Sequence, residues 1–151
     1  MVNAARVDDL PTQGRFVGPE HRFPLRVYFE DTDAAGIVYY ANYLRFMERA
    51  RSDMLRAVGV DQRAALSAGE GVYAVAEAHV RYRTPARLDD ALLVHSVLKA
   101  IRAAACVIHQ RVMRGEVLCA EADITAAFIS PDGRPKRQPR DWVAKFEGLL
   151  A

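Results

Sequence analysis

One stretch of this chain has an unmistakable helical period, and the residues on either side of it do not. Between Asn42 and Val58, apolar groups fall at Tyr43, Phe46, Met47, Ala50, Met54, Ala57 and Val58, while Arg45, Glu48, Arg49, Ser52, Asp53 and Arg56 take the other side. That spacing of three and four belongs to a helix with one buried face. Asn42 is placed to cap its start and Gly59 to end it, which gives about 17 residues and about 25 Å, longer than a connector needs.

Almost everything else reads as strand. HRFPLRVYF, from His21 to Phe29, is rich in aromatic and β-branched residues and predicts a first strand that begins near Pro24 and ends near Glu30. After a polar helical turn near Gln62 to Ala68 come four more strands, roughly Val72 to Tyr82, Ala91 to Leu98, Ala104 to Met113 and Val117 to Ile129. Hairpin turns are expected at Ala100 to Arg102 and at Arg114-Gly115, and a longer loop at Thr84 to Asp90. SPDGRPKRQP breaks regular structure, and Asp141 to Leu150 can form a short last helix. The order predicts an α+β fold with a five-stranded, mostly antiparallel sheet around one long helix. A single helix cannot cover both faces of such a sheet, so a second copy of the chain is the expected cover.

A length of 151 residues suits one domain, expected over residues 21–151 behind a loose extension at 1–20. With 51% apolar and 26% charged residues the chain is neither disordered nor membrane-embedded, because no apolar run approaches the roughly 18 residues of a span. The first twenty residues lack a basic start followed by an apolar block, so a cytoplasmic location is expected. Cys106 and Cys119 sit in apolar segments without a CxxC partner and read as buried thiols. A net charge of +2 is too mild for duplex nucleic acid. His21, His79, His95 and His109 are scattered, which argues against a metal site.

The densest chemistry lies in FEDTDAAGIVYYANY, Phe29 to Tyr43, where Glu30, Asp31 and Asp33 crowd into four positions. A turn alone could use Asn, Ser or Gly at lower electrostatic cost. Capping would explain one carboxylate, not three. The loop instead delivers acids to a helix N-terminus rich in free N–H donors, with Ala34-Ala35-Gly36 leaving access from outside. A carboxylate beside such donors suits acyl transfer, since the acid can attack or activate water while the N–H groups hold the oxyanion. A thioester is the most fitting carbonyl, because it does not need an activated Ser or Cys; no G-x-S-x-G or H-E-x-x-H run is present.

The run RVYFEDTDAAGIVYYANYLRFMERARSDMLRAVG and the segment VRYRTPARLDDALLV resemble the 4-hydroxybenzoyl-CoA thioesterase family of hot-dog proteins. The likeness is strongest to the acyl-CoA thioesterases associated with the Tol-Pal system of Gram-negative bacteria and spans about Arg22 to Arg140. It implies a sheet wrapped around the long helix, two copies joined edge to edge as a homodimer that often pairs again, and hydrolysis of an acyl-CoA without a cofactor. The family's second acid of the D-x-D pair falls on Asp33 as the catalytic residue, acting as nucleophile or general base. Val38, Tyr39 and Tyr40 are then the candidates for oxyanion donation. Tyr40 stands where the Tol-Pal branch commonly carries His; the 4-hydroxybenzoyl-CoA branch has Tyr there.

The remaining assignments are plainer. Asp31 and Glu30 are expected to orient the loop or pair with Arg, and Tyr39, Tyr43, Phe46 and Met47 to form core or acyl-pocket wall. Lys99, Arg102, Arg134, Lys136 and Arg137 offer cations for the diphosphate and ribose phosphate of coenzyme A, or form an ordinary basic surface. The expected substrates are short aliphatic or aromatic acyl-CoA esters. Carrier-protein thioesters share the same arm, and a non-catalytic adaptor for envelope or lipid-synthesis machinery is the alternative from another class. A hydratase on the same fold would centre on a histidine such as His79 beside Glu77.

Overall fold

The long amphipathic helix organises the molecule, and the strands close around it. The computed structural model describes residues 6–150. In chain order it contains strands β1 (Arg15–Val17) and β2 (Glu20–Arg26), helices α1 (Asn42–Ala57) and α2 (Gln62–Ser67), strands β3 (Val72–Tyr82), β4 (Ala91–Ile101), β5 (Ala105–Arg114) and β6 (Val117–Ile129), and helix α3 (Arg140–Glu147). All strands join one antiparallel sheet in the order β1-β2-β4-β5-β6-β3.

The sheet has six strands where five were expected. The extra one, β1, lies in the stretch read as an extension and pairs with β2 through Arg15–Arg22, Phe16–His21 and Val17–Glu20. Gly18 makes the turn possible with φ +59°, and Pro19 fixes the next φ, so two residues connect the strands. β2 also starts earlier and stops earlier than expected. It ends at Arg26, and Phe29–Asp31 coils into a single 3₁₀ turn.

In β4, β5 and β6, buried and half-exposed residues alternate, the mark of a sheet with one face on a core. Register shifts at Val75/Glu77, Leu98/Ala100 and Val112/Met113 are bulges, which add twist and let the sheet curl around α1. Helix α1 fills the concave side with Tyr43, Phe46, Met47 and Ala50, packed with Val27, Val94, Val112 and Ile124. Phe46 and Met47 are fully buried, each contributing roughly 1.5–3 kcal/mol of transfer free energy. A second cluster, around Phe128, Trp142 and Phe146, seats α3 on the end of the sheet beyond the C-terminus of α1.

Polar side chains also tie α1 to the sheet. Asp53, on the helix, accepts from the Gly14 N–H at 2.9 Å and faces His21 Nε2 at 2.8 Å, which holds the β1–β2 hairpin against the helix. Arg51 reaches Gln110 Oε1 at 2.9 Å, and Gln110 donates to the Met47 carbonyl and to Ser96. Cys106 and Cys119 are buried free thiols. Among the described residues, no helix is long and apolar enough to cross a membrane.

Candidate active site

The loop between β2 and α1 is built by two of its own carboxylates, which do different work. Asp31 is buried. Its Oδ2 accepts from the Tyr28 N–H at 2.8 Å, while its carbonyl accepts from the Tyr39 N–H and from Asn42 Nδ2, both at 2.9 Å. Asp31 thus holds both ends of the loop, through backbone bonds and not by pairing with Arg. Asn42 is not the cap: it is the first helical residue, Ala41 precedes it without a side-chain cap bond, and its amide anchors Asp31.

Asp33 lies nearer the tip, half-exposed. Its N–H donates to the Ile37 carbonyl at 2.8 Å and its carbonyl accepts from the Gly36 N–H at 3.0 Å, closing a tight turn. Gly36 permits this with φ +79°. Oδ1 accepts from the N–H groups of Ala35 at 2.9 Å and Ile37 at 3.4 Å; no donor among the described residues reaches Oδ2. The carboxylate is therefore oriented by its own loop without capping α1, and one oxygen remains free. Glu30 is exposed and makes no ion pair among the described residues.

The three candidate oxyanion donors separate cleanly. The Val38 N–H donates to the Ala86 carbonyl at 2.8 Å and the Tyr39 N–H to Asp31. Only the Tyr40 N–H, of those three, has no acceptor among the described residues, and it sits at the start of α1 where the helix dipole adds positive character. Tyr40 is also the hub of an aromatic wall. Its ring lies 4.9 Å from Tyr39 and 6.0 Å from Tyr82, and the Tyr82 hydroxyl donates to its carbonyl at 3.1 Å. Tyr43 turns inward, its buried hydroxyl accepting from the Ala86 N–H at 3.0 Å.

Around this loop Tyr28, Phe29 and Tyr40 are 62%, 82% and 60% exposed, a concentration of bare aromatic surface that marks a contact site. Tyr82 was not singled out from the sequence; its signal was the period of two in β3, which sets Tyr82 opposite the buried Ala120 and hence on the concave face.

The five cations lie elsewhere. Lys99 is at the far end of β4 from Ala91, eight residues or roughly 26 Å along the strand, and Ala91 is the residue paired with Arg26 beside the acid loop. Arg102 lies in the turn beyond it, and Arg134, Lys136 and Arg137 follow β6 at the same end. Lys99 pairs with Asp123 at 3.6 Å, Arg134 with Asp132 at 3.5 Å, and Lys136 reaches the Glu70 carbonyl. Arg102 and Arg137 are exposed. Within one copy of the chain these five do not meet Asp33. His79 is exposed on the edge strand, 3.7 Å from Glu77, and no group of three potential metal ligands occurs among the described residues.

Residues 27–146 match the model of the thioesterase-like superfamily. The chain belongs to that family. Acyl-CoA thioester hydrolase YbgC of Escherichia coli O157:H7 is 40% identical over 83% of this chain and 95% of its own length. The acyl-CoA thioesterase YbgC of Haemophilus influenzae is 35% identical over 84% and 94%. Among solved structures, a probable thioesterase from Bartonella henselae superposes with a TM-score of 0.77 at 32% identity, covering 80% of this chain and 99% of that one. A 4-hydroxybenzoyl-CoA thioesterase variant complexed with 4-hydroxybenzoyl-CoA shares the fold, with a TM-score of 0.77 at 24% identity over 84% of this chain and 98% of its own. The resemblance read from the acid loop and from the Val80 to Val94 segment therefore holds, as does the hot-dog fold it implied, with the sixth strand as an addition.

Proposed function

We propose that the protein is a thioester hydrolase acting on acyl-CoA, with Asp33 as its catalytic carboxylate. The observation that carries this is the pairing, within one loop, of a carboxylate oxygen and a Tyr40 N–H that, among the described residues, have no donor and no acceptor respectively. The thioester carbonyl oxygen lies on the Tyr40 N–H, which stabilises the negative charge that develops there. Asp33 then attacks the carbonyl carbon to give a mixed anhydride that water hydrolyses, or takes a proton from water that attacks directly. Either route gives free acid and CoA. The relatives' names support the CoA ester as donor; a carrier-protein thioester presents the same pantetheine arm.

A second copy of the chain completes the site in this reading. β3 is an edge strand with Val75, Ala76 and Ala78 exposed, and an unpaired apolar edge beside bare aromatic residues favours pairing with a copy of itself. Such a pair brings a partner surface to the acid loop, which is where the CoA cations, distant within one copy, become available.

Free-thiol release from a panel of CoA esters, with the native protein and Asp33→Asn, tests the catalytic assignment. Turnover that falls at least about a hundredfold in the folded variant supports it. Equal activity of the two proteins removes Asp33 from the reaction, and no release by either favours a binding role.

A further inference from the structure

The acid loop is a small hairpin. Asp31 pairs with Tyr39, Thr32 bridges Val38, and the Asp33 N–H donates to the Ile37 carbonyl while the Ile37 N–H reaches Asp33 Oδ1. The carboxylate therefore goes wherever the returning limb, Ile37 and Val38, goes. Asn42 fixes the base of the hairpin through the Asp31 carbonyl, and a hairpin anchored at its base alone can swing at its tip. A second anchorage lies along the returning limb, in the loop between β3 and β4. There the Val38 N–H donates to the Ala86 carbonyl at 2.8 Å, and Ile37 bridges Arg87.

Two side chains hold that anchorage. Ala86 is fully buried, and its N–H donates to the Tyr43 hydroxyl at 3.0 Å, so one residue fastens the limb that carries Asp33 to the first turn of α1, three residues past Tyr40. Tyr43 itself is wedged against Phe46 and Tyr82, with ring centroids 6.0 Å and 5.6 Å away. Burial raises its pKa above the ordinary 10.0, which keeps the phenol neutral and suits a fixed hydrogen-bonding group. From the other side Arg114, the last residue of β5, donates to the Pro85 carbonyl at 3.0 Å and to Asp90 Oδ2 at 3.2 Å; that oxygen also accepts from the Arg87 N–H at 2.8 Å.

We infer that Tyr43 and Arg114 are positioning residues, which act through the Pro85–Arg87 segment to set the place of Asp33 relative to the carbonyl carbon held at the Tyr40 N–H. The inference rests on the catalytic reading of Asp33 and adds to the core role expected of Tyr43 from the sequence. Tyr43 and the Tyr40 N–H share the start of α1. When the bond from Ala86 to Tyr43 is lost, the N–H stays and the acid drifts. Misplacing a reacting group by about 1 Å can cost on the order of a hundredfold; with Asp31 and Asn42 still holding the base of the hairpin, the expected loss is about ten- to thirtyfold.

Tyr43→Phe keeps the ring and deletes the acceptor. With the CoA ester that the native protein turns over best, kcat per folded molecule should fall about ten- to thirtyfold while KM stays within about twofold. A change that merely lowers stability removes folded protein and leaves that kcat alone. The double variant Asp33→Asn/Tyr43→Phe should keep the kcat of Asp33→Asn within about twofold, because no acid is left to misplace, whereas independent effects would multiply. Hydrogen exchange of the Val38 N–H should rise at least about tenfold in Tyr43→Phe. Arg114→Met should show the same pattern at about three- to fivefold, and its own cycle with Asp33→Asn decides the question if Tyr43→Phe does not fold. An unchanged kcat in both single variants, a raised KM at constant kcat, unmoved Val38 exchange, or losses that multiply overturns the inference and leaves Asp33 in its role. Equal activity of Asp33→Asn and the native protein, or no turnover of any ester, instead removes the catalytic reading and this inference with it.

Discussion

Asp33 and Asp53 belong to regions at opposite ends of the same helix and hold the fold in opposite ways. The Asp53 carboxylate bonds to Gly14 and His21, 39 and 32 residues away; among the described residues the Asp33 carboxylate accepts only from N–H groups two and four residues on in its own turn. The first carboxylate joins segments that would otherwise separate. The second orders a loop that Asp31, Asn42 and the Thr32–Val38 bridge already hold in place. A carboxylate that ties down no distant segment, and whose second oxygen has no donor among the described residues, is open to something outside the chain, as the proposed function requires.

The sharpest way to break this contrast is to neutralise each acid in turn. Asp33→Asn keeps the shape and at least one acceptor, so thermal unfolding should stay within about 2 °C of the native protein, while kcat falls about a hundred- to ten-thousandfold. Asp53→Ala should do the reverse. It leaves His21, whose side chain is fully buried, without its partner and frees the Gly14 N–H, at a stability loss of about 3 kcal/mol in urea denaturation, with near-native turnover in the fraction that remains folded. A variant pair in which both changes lower stability equally would erase the distinction.

The helix and the four long strands were legible because each is ten residues or longer and is bounded by clear turn or loop residues. β1 was not: three residues between Gly14 and Gly18-Pro19 carry no period, and what decides their pairing is a bond to Asp53, 39 residues away. Within the site, the place of Asp33 in the loop before the helix could be read from spacing, and which of Val38, Tyr39 and Tyr40 keeps an N–H without an acceptor among the described residues could not, because it depends on Ala86 and Asp31 claiming the other two. The basic residues show the same limit. Clustering along the chain says nothing of which end of a curled sheet receives the cluster.

A smaller effect comes from pH and sharpens the structural half of the contrast. Burial pushes the His21 pKa below its ordinary 6.5, against the pull of Asp53, so the unfolded chain takes up a proton before the folded one does. Stability from this site is intact above pH 6.5 and declines as the pH drops below it, by up to about 1.4 kcal/mol per unit, until the folded state protonates as well. Denaturation midpoints at pH 7.5 and 5.5 should therefore lie further apart in the native protein than in His21→Phe, which keeps a ring against Phe16 and has no proton to gain. Equal separations would mean that the pair contributes packing alone. Asp33 turnover, normalised to folded protein, should not follow this difference.

The smallest expected effect tests how the functional half is positioned. Tyr82 donates from the edge strand to the Tyr40 carbonyl, the far side of the residue whose N–H is assigned to the oxyanion. That bond joins β3 to the start of α1, so its loss loosens the direction of the N–H without removing it. Tyr82→Phe retains the ring and its contacts with Tyr40 and Tyr43, and removes only an exposed hydroxyl, a change of about 1 kcal/mol or less. If Tyr40 donates in the transition state, kcat falls about three- to fivefold while KM stays put, since the weakened interaction is one that forms only as charge develops. A rise in KM with kcat unchanged would instead make Tyr82 a wall of the substrate groove, and the oxyanion donor would have to be sought among the other free N–H groups at the start of α1.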